Sequence, residues 1–177
     1  KTLNSDSMVF VCPSDHKVPP EFDIHTILSQ DADFIIFGIE PDNPNTNYGY
    51  IKVDDTKKSF QLVSEFKEKP GYKTAEKYIQ SNQYLWNSGM FYFDNREFFK
   101  KLKQFNSSIN SLIEKTSITD KDSLFTEFEK DSYNKIDPIS LDYALIENLE
   151  EIYVAKFEES WSDLGNWNEL FNFLNQN

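Results

Sequence analysis

A length of 177 residues suits one domain with a sizeable core, and 16 Phe, 9 Tyr and 3 Trp supply the apolar area for it. With 30 acidic against 18 basic residues, a net charge of −12 argues against nucleic acid or an anionic membrane as the main partner. The single Cys12 excludes an internal disulfide and fits a reducing compartment, no apolar run approaches a membrane span, and no signal peptide is visible, so a cytoplasmic globular protein is expected.

Met8-Val9-Phe10-Val11 is a continuous apolar run ended by Pro13, and it predicts a buried strand. Phe34 to Ile39 predicts a second, ended by Pro41 and the polar loop Asp42 to Asn47. Between them only a short stretch with Phe22, Ile24, Ile27 and Leu28 is left, barely enough for one crossover helix. Tyr50 to Val53 and Phe60 to Phe66 flank Asp54-Asp55-Thr56-Lys57-Lys58, the pattern of a β-hairpin. Lys73 to Ile79 predicts a helix and Trp86 to Phe93 a strand. Asp94 or Asn95 is placed to cap a following helix, on which Phe98, Phe99, Leu102 and Phe105 mark a core-facing stripe. Residues 107 to 130 read as helical with a break at Thr116 to Lys121; Ile152 to Phe157 reads as a late strand and Asn166 to Leu174 as a final helix. This alternation argues for an α/β layer fold with a mostly parallel or mixed sheet. Ligands of such sheets gather beyond the carboxyl ends of the strands, and Asp15 stands just past the first one.

Chemistry concentrates in a few segments. Phe66-Lys67-Glu68-Lys69-Pro70 sets a carboxylate beside an ammonium before a forced turn, and Trp86-Asn87-Ser88-Gly89-Met90-Phe91 adds an amide, a hydroxyl and a bare glycine backbone. Glu accepts from sugar hydroxyls, Lys holds a phosphate as a point charge, and Asn both donates and accepts. Glu-Lys-Pro alone is usually a solvated strand end; joined to the second segment at this spacing it is specific. Cys12-Pro13-Ser14-Asp15-His16 and Trp161-Ser162-Asp163-Leu164-Gly165-Asn166-Trp167 each carry one aspartate in a turn-forming context. Lesser signals are Asn47-Tyr48-Gly49-Tyr50-Ile51 and Ser140-Leu141-Asp142-Tyr143-Ala144-Leu145-Ile146-Glu147.

Taken in order, from about residue 9 to residue 170, these segments resemble the sugar-1-phosphate nucleotidyltransferases, and within them the mannose-1-phosphate guanylyltransferases, some of which also carry a mannose-6-phosphate isomerase domain. The resemblance implies a Rossmann-like nucleotidyltransferase fold, α/β, with a mixed, mostly parallel sheet flanked by helices. It implies that Asp15 and Asp163 hold a catalytic magnesium, that Lys69 holds the sugar phosphate, and that Gly49, Glu68, Asn87 and Asp142 belong to the substrate site. Magnesium suits one or two carboxylates completed by waters and substrate phosphates. GTP and mannose 1-phosphate are the implied substrates and GDP-mannose, a polysaccharide or lipopolysaccharide precursor, the product; a homo-oligomer stays open. Cys12 and Ser14 depart from the family's Leu-Pro-Ala-Asp-His turn but leave the aspartate in place.

The family's glycine-rich Gly-x-Gly-x-Arg turn has no counterpart, since none of the five glycines is spaced to cradle a phosphate. The expectation is therefore the C-terminal part of a single domain, inactive alone, incomplete at its N-terminus and carrying an apolar strand edge there. Alternatives are a transferase for glucose 1-phosphate, or a non-catalytic regulator that binds sugar nucleotides, against which both aspartates argue. Plainer readings apply to the rest. An isolated Asp in a turn is usually a cap; His16 orients its turn by hydrogen bonding, His25 packs or lies at the surface, and Trp86, Trp161 and Trp167 form pocket walls and core. Either of Asp142 and Glu147 suits a helix cap, and one of them shapes the sugar site. The cluster Glu147, Glu150, Glu151, Glu158 and Glu159 is solvated surface, and Cys12 is a small buried apolar residue.

Overall fold

The computed structural model describes residues 6–18, 27, 29–116, 118–120, 127–157, 161–165, 167, 171 and 174. Most of the expected crossover segment around Phe22 to Leu28 and most of the expected last helix lie outside them, as do His25, Glu158 and Glu159. Two compact units form, one from Lys1–Asp94 with Glu150–Asn177, the other from Asn95–Leu149. The first unit begins with strands β1 (Met8–Val11), β2 (His16–Lys17), β3 (Phe34–Ile39), β4 (Tyr50–Lys52), β5 (Phe60–Leu62) and β6 (Glu65–Lys67), then helix α1 (Tyr72–Ser81) and the long strand β7 (Tyr84–Asp94). The second unit holds α2 (Asn95–Phe105), α3 (Ser107–Lys115), the antiparallel pair β8 (Ile118–Asp120) and β9 (Glu127–Phe128), and the short helices α4 (Lys130–Tyr133) and α5 (Leu141–Ala144). The chain then returns to the first unit as β10 (Tyr153–Lys156) and β11 (Ser162–Asp163).

The main sheet runs β5-β10-β3-β7-β4-β6, with β1 also on β7. Its mixed α/β character is as expected, but its parallel share is small. Among the described strands only β3 and β10 run parallel; the other ladders of this sheet are antiparallel. A parallel neighbour needs a long crossover. β10, which follows the entire second unit, returns beside β3 in that sense. The expected hairpin is also revised. Residues 60–66 break at Val63 and Ser64 into two strands, so β4 pairs with β6 while β5 pairs with β10.

β7 organises the unit, because Tyr-Leu-Trp and Met-Phe-Tyr-Phe supply large side chains to both of its faces, and nine of its eleven positions, all but Gly89 and Asp94, are buried. One edge pairs with β3 at Phe91–Phe93 and again at Trp86–Asn87. The other pairs with β4 at Tyr84–Trp86 and with β1 at Phe91–Asp94. Between these partners the strand bulges: Ile36 faces Phe91 while Gly38 faces Asn87, leaving Ser88, Gly89 and Met90 opposite Phe37 alone. Gly89 has φ +76°, a conformation that favours glycine. Beside the sheet, α1 buries Ala75 and stacks Tyr78 on Tyr84 with centroids 3.8 Å apart.

Two further expectations change. Met8–Val11 is a strand but not a buried one: Met8, Phe10 and Val11 are 41%, 36% and 39% exposed, because β1 pairs only with β7 among the described strands. In the predicted helical stretch 107 to 130, Ile118–Asp120, in the expected break, pairs as β8 with β9, and Glu127–Phe128 is strand rather than helix. In α2 the apolar stripe holds, with Leu102 buried and Phe98, Phe99 and Phe105 half-buried.

Candidate functional site

Two aspartates far apart in sequence meet on a small antiparallel ribbon. β2 and β11 pair so that Asp163 stands opposite His16, and the Leu164 amide donates to the Asp15 carbonyl at 2.8 Å. Asp15 is exposed, Asp163 half-buried. The Asp15 carboxylate lies over Gly165, where a Cβ would stand 2.9 Å from Oδ2. Burial pushes the His16 imidazole below its ordinary pKa, while the charges of Asp15 and Asp163 pull it up. Trp161 Nε1 donates to His16 Nδ1 at 3.4 Å, so Nδ1 acts as acceptor and the ring is held by hydrogen bonding, as the sequence suggested.

A second group forms where β4 lies between β6 and β7. Tyr50 faces Lys67 on one side and Trp86 on the other. One step beyond, the same register brings Gly49, Glu68 and Asn87 to one level. The Asn87 amide donates to the Gly49 carbonyl at 2.8 Å. A Cβ on Gly49 would stand 2.6 Å from Glu68 Oε2, 2.9 Å from Phe66 Cζ and 3.3 Å from Asn87 Cβ, so glycine is what admits this approach. The Glu68 side chain is only 5% exposed and pairs at 3.4 Å with Lys69, whose own side chain is 54% exposed. A buried carboxylate is thus set beside a solvated cation. Lys69 also holds a left-handed backbone, φ 43°, just before Pro70, an arrangement that costs a non-glycine residue about 1–3 kcal/mol. Asn87 Oδ1 accepts from the Gly89 amide and Ser88 Oγ from the Met90 amide, both at 3.2 Å, which satisfies the backbone of the bulge. Gly89 also approaches the turn before Asp15: a Cβ on it would lie 4.0 Å from Pro13 Cγ.

Consecutive residues join the two groups. Tyr48 donates through its hydroxyl to Asp163 Oδ1 at 3.0 Å, and Gly49 packs on Glu68 and Asn87. The Tyr48 ring touches Trp86 and Trp161, with centroids 5.0 and 5.7 Å away. The structure therefore brings Asp15, Gly49, Glu68, Lys69, Asn87 and Asp163 into one region of the first unit. Asp142 belongs to the second unit, in the first turn of α5, whose cap is Ser140. Trp86 and Trp161 are packed as expected, but Trp167 is 85% exposed and is no part of a core. Cys12 is exposed rather than buried, because it follows the open-edged β1. Sequence reasoning overlooked Tyr48 and Gly165. Both lie in segments already singled out, but a phenol's partner and a glycine's overlying carboxylate depend on chain pairing that no local pattern encodes.

The donor set bears on which ion would fit. Among the described residues no cluster of three or more His, Cys, Asp or Glu could hold a metal. Two carboxylates without a third protein ligand are a poor zinc site but suit magnesium, which keeps its waters and takes phosphate oxygens. No helix among the described residues is long and apolar enough to cross a membrane.

The family model described as Nucleotidyl transferase matches residues 1–177. The chain belongs to the nucleotidyl transferase family. This member is 32% identical to "Xanthan biosynthesis protein XanB" of Xanthomonas campestris pv. campestris over 97% of its own length. It is 31% identical over 94% of its length to "Mannose-1-phosphate guanylyltransferase" of Escherichia coli. It spans only 38% and 37% of those two relatives. Its fold is similar to a crystal structure titled mannose-6-phosphate isomerase from Helicobacter pylori, with TM-score 0.78, 26% identity, and coverage of 91% of this chain and 66% of that one.

Proposed function

We propose that this nucleotidyl transferase chain holds the sugar-phosphate and metal-binding parts of a mannose-1-phosphate guanylyltransferase, which transfers GMP from GTP to mannose 1-phosphate and releases pyrophosphate. The observation that carries the reading is the Tyr48-Gly49 step, whose two residues touch the aspartate ribbon and the Glu68–Asn87 group respectively. Sugar phosphate and metal have to meet in this reaction, and here the residues that touch their expected ligands are one peptide bond apart. The relative named for guanylyl transfer to mannose 1-phosphate supports the choice of substrates, and the xanthan biosynthesis protein supports a polysaccharide precursor as product.

In the reaction a phosphate oxygen of mannose 1-phosphate attacks the α-phosphorus of GTP. A new P–O bond forms as the bond to the β-phosphate bridging oxygen breaks, and pyrophosphate carries away the electron pair. The nucleophile is already an anion, so no strong general base is required, and alignment with charge neutralisation does most of the work. Asp15 and Asp163 would hold magnesium, which supplies a template and charge clamp for the phosphates. Lys69, solvated and paired only across 3.4 Å with Glu68, is free to turn its ammonium onto the sugar phosphate. Glu68 and Asn87 fix the sugar ring through its hydroxyls, over the bare Gly49 backbone. No residue of this chain is assigned to isomerase chemistry.

The test is turnover by the whole protein with mannose 1-phosphate or glucose 1-phosphate, each with GTP, UTP, dTTP, CTP or ATP, read by pyrophosphate release. Mannose 1-phosphate with GTP should be the preferred pair. Faster turnover of glucose 1-phosphate would move the protein to another sugar, and binding of sugar nucleotides without turnover of any pair would make it a regulator.

A further inference from the structure

We infer that Tyr48 is a positioning residue that fixes the carboxylate of Asp163 for a divalent cation; this rests on the magnesium reading above. The geometry has three parts. First, the Tyr48 hydroxyl donates to Asp163 Oδ1 at 3.0 Å across the two groups of the site. One carboxylate oxygen is thereby engaged, and the rotation of the whole group about its terminal bond is restrained.

Second, the phenol is itself held. Its ring lies against Trp86 at 5.0 Å and Trp161 at 5.7 Å, and Trp161 in turn meets His16 edge-on at 5.1 Å. Trp86 belongs to β7 and is 6% exposed, so one side of this wedge is anchored in the sheet. The backbone on each side is also tied. Gly49 accepts from Asn87, Asn47 donates to Asn45 Oδ1 at 2.9 Å, and the Tyr50 hydroxyl donates to the Asn45 carbonyl at 2.9 Å. A hydroxyl so fixed can orient a partner, where a free one would follow it.

Third, Asp163 sits on a two-residue strand, which gives its side chain little support of its own. A donor to a ligating carboxylate sets the ligand's orientation and basicity, and losing such a donor typically lowers metal affinity about 10–100-fold. Tyr48 supplies what the short ribbon lacks.

The experiment compares the wild-type whole protein with Tyr48→Phe and Asp163→Asn, using manganese as an EPR-visible probe and isothermal titration of mannose 1-phosphate without metal. Tyr48→Phe keeps the ring between the two tryptophans, and the thermal midpoint checks that it folds. Manganese affinity should fall about 10–100-fold in Tyr48→Phe, with metal-free sugar phosphate affinity unchanged. If Asp163→Asn weakens manganese while Tyr48→Phe leaves it at the wild-type level, the positioning role is overturned and the metal reading stands. If Tyr48→Phe weakens manganese and sugar phosphate alike, the hydroxyl holds the fold rather than the carboxylate, and the role is likewise overturned. If Asp163→Asn binds manganese as wild type does, the metal reading itself fails and this proposal falls with it.

Discussion

Gly49→Ala is the sharpest single test of the sugar pocket. The added methyl would meet Glu68 Oε2 at 2.6 Å, Phe66 Cζ at 2.9 Å and Asn87 Cβ at 3.3 Å. Ordinary contact begins at 3.4 Å, so the Glu68 oxygen must retreat by about 0.8 Å. Overpacking of this kind costs roughly 1–3 kcal/mol, which lowers the melting midpoint by about 2–4 °C per kcal/mol in a chain of this size. Glu68 can give way by turning its carboxylate, whereas the Phe66 ring and the Asn87 Cβ are held by the strands that carry them. The larger effect should therefore fall on the ligand, since a misplacement approaching 1 Å at a positioning group costs on the order of a hundredfold. We expect calorimetric affinity for mannose 1-phosphate to fall about 10–100-fold on this basis. Two other glycines calibrate the result. Gly38→Ala would drive a methyl to 2.7 Å from Leu85 and 2.8 Å from Val154, costing similar stability away from the pocket. Gly71→Ala meets nothing within 4 Å at φ −64° and should change stability by no more than about 1 kcal/mol. A folded Gly49→Ala protein with wild-type affinity, or a Gly38→Ala protein with an equal loss, would refute the reasoning.

Asp163→Asn should nearly abolish magnesium-dependent turnover and leave the melting midpoint in place; substantial activity with an unchanged magnesium requirement would remove Asp163 from the metal site. Lys69→Ala should weaken mannose 1-phosphate about ten- to a hundredfold, the worth of a charge-assisted contact, and spare GTP; equal loss of both would place the ammonium elsewhere. Asn45→Ala removes the acceptor for the Asn47 amide in the loop that carries both Tyr48 and Gly49. Metal and sugar phosphate affinities should then fall together, and a fall in only one would mean the loop does not serve both. Burial pushes Tyr84 up to about 12 and raises Tyr50 and Tyr92 as well. Their protonated forms are the ones the fold favours, so this stability is complete below pH ~10, where unfolded tyrosine titrates, and is lost as pH climbs toward 12. Denaturant midpoints should drop over that window and drop less in Tyr84→Phe; equal curves for the two proteins would refute it.

Much of the site was legible because its residues belong to short segments whose chemistry shows in the letters. Glu68-Lys69-Pro70 announces a charge pair at a turn, and Asn87-Ser88-Gly89 announces an amide, a hydroxyl and a bare backbone within an apolar strand. Strand positions for β3, β7 and β10 follow from apolar runs long enough to be unambiguous. Partners were less legible. Phe60 to Phe66 reads as one strand, yet Val63 donates to the Ile152 carbonyl and Ser64 to the Lys52 carbonyl, so neighbours on two sides divide it. The same lack of partner information hid the exposure of β1, whose Met8, Phe10 and Val11 are as apolar as any core strand. Ile118–Asp120 and Glu127–Phe128 are too short for a periodicity to show, so the sequence does not reveal their pairing.

The bulge in β7 explains how one strand can serve two jobs. A regular strand through residues 87–90 would keep β3 in constant register and leave no room for irregular backbone. Here the extra residues shift the register, Gly89 takes the left-handed conformation, and the Asn87 and Ser88 side chains satisfy the amides that the ladder gives up. β4 ends its pairing before the break and β1 begins after it, so the bulge lies between the group around Glu68 and the turn that leads to Asp15. Asn87 consequently has a structural demand on its carbonyl oxygen, which accepts from Gly89, and under the proposed function its amide, a donor, would meet a sugar hydroxyl. Replacing it by Asp would preserve the acceptor and remove the donor. Under the proposed function, pocket chemistry and strand geometry would act on the two polar ends of one side chain, and asparagine carries both an acceptor and a donor at this length.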